Sequence, residues 1–104
     1  MIKVSVLYPN AAGVRFDLDY YCDTHMALVR ECLGAACKGI AVDHGLAGGA
    51  PGEPAPFVAV GHLLFDSLEP FQQAFAPHAE RIMGDLPNFT NATPVLQISE
   101  VCLS

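Results

Sequence analysis

The chain has 104 residues, of which 52% are hydrophobic and only 15% are charged, and its formal net charge is −6. Such hydrophobicity excludes intrinsic disorder, which requires few apolar residues and a high net charge. The five Lys and Arg residues lie singly along the chain, whereas nucleic-acid binding requires a basic patch that neutralises phosphates. No apolar run approaches the roughly 18 residues of a membrane-spanning helix. The composition therefore predicts a globular protein that binds neither nucleic acid nor membrane.

The length suits one domain, since domains usually contain about 100–150 residues, and residues 1–104 are expected to form a single folded unit. The four cysteines are not spaced as in metal sites or paired redox motifs; they are Cys22, Cys32, Cys37 and Cys102. The N-terminus has no export signal, so we expect a cytoplasmic protein with reduced cysteines that behave as small apolar side chains.

The first predicted elements are a strand and a helix. Apolar side chains alternate over residues 2–8 as in a strand, and Pro9 ends the pattern. Asp17 is placed to cap a helix over residues 18–33, and Gly34 is a typical residue just beyond a helix end. The expected apolar stripe of this helix contains His25 and the residues Tyr21, Leu28, Val29 and Cys32.

Two further strands and a second helix complete the pattern. Alternation over residues 38–46 predicts the second strand, and the Gly- and Pro-rich residues 48–56 predict a loop. Residues 57–66 are apolar on both faces, which is typical of a strand covered on both sides. Ser67 is expected to cap a helix that continues to Gly84 and is broken at Pro77. Residues 86–93 are expected to be irregular, and residues 95–103 to form the last strand.

The order βαββαβ predicts an α+β, ferredoxin-like fold, in which a four-stranded antiparallel sheet carries both helices on one face. Because the third strand is apolar on both faces, the open face of the sheet also needs a cover. Two copies that pack these faces together would form a barrel across a homodimer. The low content of charged residues favours the same assembly.

Two motifs resemble signatures of the EthD family. Residues 16–21 (FDLDYY), followed by residues 24–26 (THM), resemble its first-helix motif, and residues 87–91 (PNFTN) resemble its second motif. The resemblance covers the chain from the first predicted strand to the last, and it implies a dimeric α+β barrel. The family is named for a protein needed in the degradation of ethyl tert-butyl ether. Related domains include a methylmuconolactone methylisomerase and fungal enzymes that act on polyketide intermediates, so the resemblance implies no single reaction.

His25 is the candidate catalytic residue. Histidine exchanges protons near neutral pH, and this one lies on the stripe that is expected to face the sheet, where such folds often leave room for a small apolar ligand. A core histidine bonded to a backbone carbonyl is the alternative. A histidine at the matching position of the methylisomerase takes part in proton transfer, so the resemblance implies a general acid/base role for His25.

The candidate ligand-binding residues are mainly aromatic. Tyr21 lies one turn before His25, and Tyr8 and Phe65 are possible pocket walls, although each is equally compatible with an ordinary core position. Phe89 and Asn91 belong to a segment that either covers the cavity or only forms a turn.

We expect neither a cofactor nor a metal site in this protein, and three functions are considered. The first is a small catabolic protein that acts on an apolar carbonyl or lactone compound, with His25 moving a proton. The second is a non-catalytic carrier of a hydrophobic metabolite. The third is a haem-degrading monooxygenase, which is disfavoured because small enzymes of that kind use a tryptophan and this chain has none. The other histidines, His44, His62 and His78, have no metal-ligand spacing.

Overall fold

The computed structural model describes residues 1–104 and has the expected order of elements. One antiparallel sheet contains the strands β1 (Ile2–Pro9), β2 (Gly39–His44), β3 (Phe57–Phe65) and β4 (Val95–Glu100). The strands lie in the order β2-β3-β1-β4, so the first and third strands are central. This topology confirms the predicted ferredoxin-like α+β fold.

Strand β4 is shorter than the prediction of residues 95–103, because its partner ends. Glu100 pairs with Ile2 at the very start of β1, so later residues have no ladder to join. Strand β2 likewise covers only part of the predicted residues 38–46, and its last paired residue is His44, opposite Ala59.

The two faces of the sheet differ in burial. Val4, Ala59 and Phe65 point to the helical side and are fully buried. The intervening side chains, such as those of Leu7 and Val60, point to the opposite face and are only partly buried. No helix covers that face, so the core of this chain lies between the sheet and the helices.

The first helix consists of three consecutive segments: α1 (Leu18–Tyr20), a π-helical turn (Tyr21–His25) and α2 (Met26–Leu33). Asp17 caps it as predicted, since its side chain accepts a hydrogen bond from the Tyr20 backbone N–H at 3.1 Å. Gly34 ends it with a φ of 60°, a value that glycine adopts at little cost.

The π-helical turn changes which residues of this helix face the core. It introduces one extra residue, because the Met26 N–H bonds to the Tyr21 carbonyl five residues earlier. The side chains after the turn are therefore displaced by one position, and Val29 and Leu33 are buried. The predicted stripe is confirmed at Val29 and, in part, at Cys32, which is partly buried and packs against the core. It was wrong at Leu28, which is only partly buried and does not pack against the core.

The second helical region contains α3 (Leu68–Phe75), a 3₁₀ turn (Ala76–His78) and α4 (Ala79–Gly84). The predicted break at Pro77 is confirmed, since this residue lies in the 3₁₀ turn. Ser67 is at the N-cap position, but its side chain makes no capping hydrogen bond, so this part of the prediction was wrong. None of the helices is both long and apolar enough to span a bilayer.

Candidate functional site

The two sequence motifs meet in space beside the start of the first helix. Phe16 and Thr90 form an isolated antiparallel β-bridge, and the Asp17 N–H donates to the Phe89 carbonyl at 2.8 Å. The Thr90 hydroxyl donates to the Arg15 carbonyl at 2.7 Å. These bonds fix the segment after α4 against the N-terminal end of the helix that carries His25.

His25 is buried and paired with a carboxylate that the sequence analysis missed. Its Nδ1 lies 2.9 Å from Asp85 Oδ2, and the exposed fractions of the two side chains are 4% and 14%. Its Nε2 has no hydrogen-bond partner within the chain. If Nδ1 carries the proton and donates it to Asp85, Nε2 is an unprotonated acceptor.

Asp85 is itself held by two further donors. The Tyr20 hydroxyl and the Asn88 amide donate to its Oδ1 at 2.8 and 2.9 Å. Partial burial opposes ionisation of the carboxyl, but the hydrogen bonds from Asn88, His25 and Tyr20 prevail and lower its pKa below the ordinary value. Asp85 is therefore ionised at neutral pH. The same bond to Asp85 raises the pKa of the Tyr20 hydroxyl.

The His25 ring also contacts two aromatic rings, one stacked on it and one tilted. It is stacked on Tyr21, with centroids 5.5 Å apart and planes at 15°, and its centroid lies 4.7 Å from that of Phe89. Both neighbours belong to the sequence motifs, and both are almost completely buried. The π-helical turn starts at Tyr21 and ends at His25; such turns occur often at functional sites.

A small cavity of about 40 Å³ lies between the sheet and the helices, and His25 lines it. All other lining residues are hydrophobic except Gly61. At this size it holds a group of only a few atoms, because one water needs about 10–15 Å³ on the same scale. Two of its lining residues, Met83 and Leu96, are 38% and 46% exposed, so the cavity reaches the surface between α4 and β4.

Two tyrosines line the cavity together with His25. Burial raises the pKa of Tyr8 to about 12, and the hydroxyl of the adjacent Tyr21 offsets this only in part. Burial and, secondarily, Tyr8 raise the pKa of Tyr21 further. Both phenols are thus neutral hydrogen-bond donors at physiological pH. A Cβ on Gly61 would lie 2.1 Å from the Tyr21 hydroxyl oxygen, so this hydroxyl occupies the space that glycine leaves in β3.

The six candidate site residues divide into two groups. His25, Tyr8 and Tyr21 line the cavity, whereas Phe65, Phe89 and Asn91 do not. Phe65 packs against the Phe71 ring at 5.1 Å. The Asn91 side chain accepts from the Arg15 N–H at 2.7 Å and donates to the Gly13 carbonyl at 3.0 Å. Its bonds therefore join two loops outside the cavity.

The remaining histidines lie away from the cavity. His62 is on the open sheet face, where Nε2 is 2.9 Å from Asp43 Oδ2 and Nδ1 is 3.1 Å from the Ser5 hydroxyl. His44 is exposed on the other side of β2, so the two histidines do not meet. No group of three potential metal-ligating side chains comes together, and the four cysteines are free thiols.

Comparison with solved structures shows the same fold in other proteins. An EthD-like protein from Ralstonia eutropha JMP134 is 50% identical, with a TM-score of 0.94 over 98% of this chain and 92% of its own. An ethyl tert-butyl ether degradation (EthD) family protein from Bacillus halodurans C-125 is 21% identical, with a TM-score of 0.65 over 96% of this chain and 97% of its own. HapK from Hahella chejuensis is 11% identical, with a TM-score of 0.55 over 96% and 91%. The two more distant structures show the fold alone.

A search of curated proteins found no match. The family model for the EthD domain, however, matches residues 15–93. This range contains both sequence motifs, His25, Asp85 and the two helical regions that enclose the cavity. The chain therefore belongs to the EthD family.

Proposed function

We propose that this protein catalyses proton transfer on a small apolar carbonyl or lactone compound, in a pathway that degrades organic compounds. The observation that supports the proposal is His25, whose ring lines an otherwise apolar cavity while its Nδ1 is bonded to Asp85. A carboxylate-paired imidazole with one free nitrogen is suited to general acid/base work.

In the proposed step, His25 Nε2 takes a proton from the carbon next to the substrate carbonyl. The C–H bond breaks, an N–H bond forms, and the electron pair moves onto the carbonyl oxygen as an enolate. A neutral phenol of Tyr8 or Tyr21 is available in the same cavity to donate a hydrogen bond to that oxygen. In an unsaturated carbonyl compound the enolate is conjugated with the carbon–carbon double bond, so return of the proton to the far carbon of that system re-forms the carbonyl, shifts the double bond and completes an isomerisation.

Substrate entry requires movement of the residues at the cavity mouth. The cavity of about 40 Å³ is much smaller than the several hundred Å³ of ordinary ligand pockets. Met83 and Leu96 are the half-exposed members of its lining. Their side chains have the freedom to rotate outward, and the opening they leave would connect His25 with solvent.

The test is exchange of carbon-bound protons with D₂O, followed by proton NMR, for a panel of small unsaturated lactones and cyclic ketones. We expect the wild-type protein to accelerate exchange for at least one compound, and His25→Ala to lose about 10²-fold or more of that rate. His44→Ala is the matched control, because His44 is exposed and does not line the cavity. Full exchange activity in His25→Ala would refute the proposal.

A hydrophobic carrier is the second candidate function. It is favoured by the cavity lining, in which His25 is the sole polar side chain apart from the two tyrosine hydroxyls. Thermal-shift binding of the same panel distinguishes the two functions. Compounds that raise the melting temperature without any proton exchange would support the carrier and contradict catalysis.

We also propose that two copies pair through the open face of the sheet. That face carries Leu7, Val58, Val60 and Leu64, all only partly buried and without a covering helix. Val95 of the adjoining edge strand β4 pairs with Leu7, so its side chain lies on the same face, and it is about half exposed. A second copy presents the same apolar surface and would cover it by twofold symmetry.

Sedimentation at micromolar concentration tests this pairing. We expect a dimer for the wild-type protein and a monomer for Val60→Lys, which places a charge in the centre of the face. Lys38→Glu is a control outside that centre. A wild-type protein that sediments as a monomer would exclude the pairing.

A further inference from the structure

We infer that Asp85 is a positioning residue that holds His25 in the Nδ1–H tautomer, so that Nε2 faces the cavity as a base. The inference rests on the proposed function for its catalytic meaning, but the tautomer itself is a property of the free protein. It assigns a role to Asp85, Tyr20 and Asn88, three residues that lie outside the cavity lining.

The geometry leaves Asp85 only one way to interact with the imidazole. Its Oδ1 already accepts from the Tyr20 hydroxyl and the Asn88 amide, so Oδ2 faces His25 Nδ1 at 2.9 Å. A carboxylate that is ionised is an acceptor and has no proton to give. Nδ1 must therefore be the donor, and in the neutral ring the single proton is placed there.

The donors on Oδ1 come from two different elements. Tyr20 is the last residue of α1, immediately before the π-helical turn, and Asn88 ends the 3₁₀ turn Leu86–Asn88. Asp85 is thereby fixed between the helix that carries His25 and the segment that follows α4. Such a support restricts the carboxylate to one rotamer, which is what the orientation of a catalytic imidazole requires.

Ring stacking restricts the flipped orientation of the His25 imidazole. A 180° flip about the Cβ–Cγ bond would put Cδ2 in the place of Nδ1 and Cε1 in the place of Nε2, but Tyr21 stacks on the ring and Phe89 packs beside it at 4.7 Å. A flipped ring would also leave the Asp85 carboxylate without its histidine partner. The tautomer and the orientation thus depend on the same hydrogen bond.

The experiment is long-range proton–nitrogen NMR of the ¹⁵N-labelled protein between about pH 5 and about pH 9, a range that includes the ordinary titration of histidine. We expect the neutral His25 ring to be protonated at Nδ1 and unprotonated at Nε2. The other three histidines of the chain serve as internal references. In Asp85→Asn we expect a mixture of both tautomers, since an amide presents either a donor or an acceptor to the ring.

Three further variants separate positioning from simple folding. Asp85→Glu keeps a carboxylate and is expected to retain the wild-type tautomer. Tyr20→Phe keeps the aromatic ring but removes the donor to Oδ1, and a partial loss of the single tautomer is expected there even if Asp85→Asn fails to fold. Asp23→Asn is the matched control, because this exposed carboxylate has the same charge and no bond to His25.

Each outcome decides the inference independently of the proposed catalysis. A wild-type ring protonated at Nε2, or a ring that stays doubly protonated throughout, would overturn it. So would an unchanged tautomer in folded Asp85→Asn. If the tautomer behaves as expected while no compound exchanges protons, the positioning role stands and the proposed reaction fails.

Discussion

At the residue scale, the Asp85 carboxylate is distinguished by three side-chain hydrogen-bond partners. Four groups from two parts of the chain meet there: the Asp85 carboxylate itself, the His25 ring, the Tyr20 hydroxyl and the Asn88 amide. Hydrogen bonds to a carboxylate favour its charged form, and here they outweigh the opposing effect of burial. The folded state therefore stabilises the ionised form of Asp85.

This environment predicts a defined pH dependence of stability. Because the pKa of Asp85 is lower in the folded than in the unfolded state, its stabilisation is present above the unfolded value near 4 and is lost as the pH falls through the folded value. Urea unfolding of Asp85→Asn should show reduced stability at pH 7 and a smaller difference from wild type below about pH 4. A difference that grows toward acid pH would contradict the assignment; Asp23→Asn is the control.

A second prediction at this scale concerns the space beside Tyr21. The Cβ of Gly61→Ala would overlap the Tyr21 hydroxyl and also lie 3.1 Å from the Met26 methyl group. Overpacking of this kind costs about 1–3 kcal/mol, and urea unfolding should show that loss. Gly84→Ala is the control: its Cβ meets nothing within 4 Å, and it should raise stability by up to about 1 kcal/mol in a helix. Equal stability of the two variants would argue against close packing at Tyr21.

At the element scale, the two helical regions begin in different ways. The Asp17 side chain caps α1, whereas Ser67 occupies the N-cap position of α3 without a side-chain bond. The residue type alone predicted capping at both sites. The two sites differ because only the Asp17 side chain is placed to reach a free backbone N–H in the first turn of its helix.

The two caps therefore predict unequal losses on truncation. Asp17→Ala removes the acceptor of the Tyr20 N–H and should cost about 1 kcal/mol of unfolding free energy. Ser67→Ala removes no such bond and should cost a few tenths at most. Denaturant unfolding of both variants measures this difference, and a larger loss for Ser67→Ala would show that the observed cap geometry is not the one that stabilises the helices.

The first helix shows how far periodicity predicts an element. Its start and end were predicted from Asp17 and Gly34, because capping depends on local residue types. Its buried face was predicted correctly at Tyr21, His25 and Val29, whereas Leu28 was wrongly included and Leu33 was missed. The π-helical turn adds one residue to the helix, and a regular period of 3.6 contains no signal for such a turn.

At the scale of the whole molecule, the sheet has one covered and one open face. The covered face carries the core and the cavity; the open face combines apolar side chains with the Ser5–His62–Asp43 hydrogen bonds. If two copies share the open face, folding and association are coupled, because each copy binds the folded and not the unfolded form of its partner.

This coupling predicts a melting temperature that depends on concentration. A calorimetric series over about a hundredfold range of protein concentration should show the wild-type melting temperature rising with concentration. Val60→Lys should show no such rise. A wild-type melting temperature that stays constant while sedimentation gives a monomer would contradict the pairing.

The local sequence determined much of this protein. Alternation predicted the first two strands, and a run that is apolar on both faces predicted the third. Turn and capping residue types placed the helix ends, and the order βαββαβ predicted the observed sheet. The buried positions of His25, Tyr8 and Tyr21 were predictable because helical and strand periods place them on inward faces. The periods and the caps depend on residues a few positions apart, so a short segment of the chain is enough to predict them.

Tertiary structure decided what those residues touch. Asp85 lies 60 positions from His25, in a run of helix and turn that has no periodic relation to it, so its pairing with the imidazole had no sequence signal. Phe65 and Asn91 have residue types that suit a pocket, but tertiary packing places both outside the cavity lining. The size of the cavity likewise depends on how the helices lie on the sheet, a distance that no local pattern encodes.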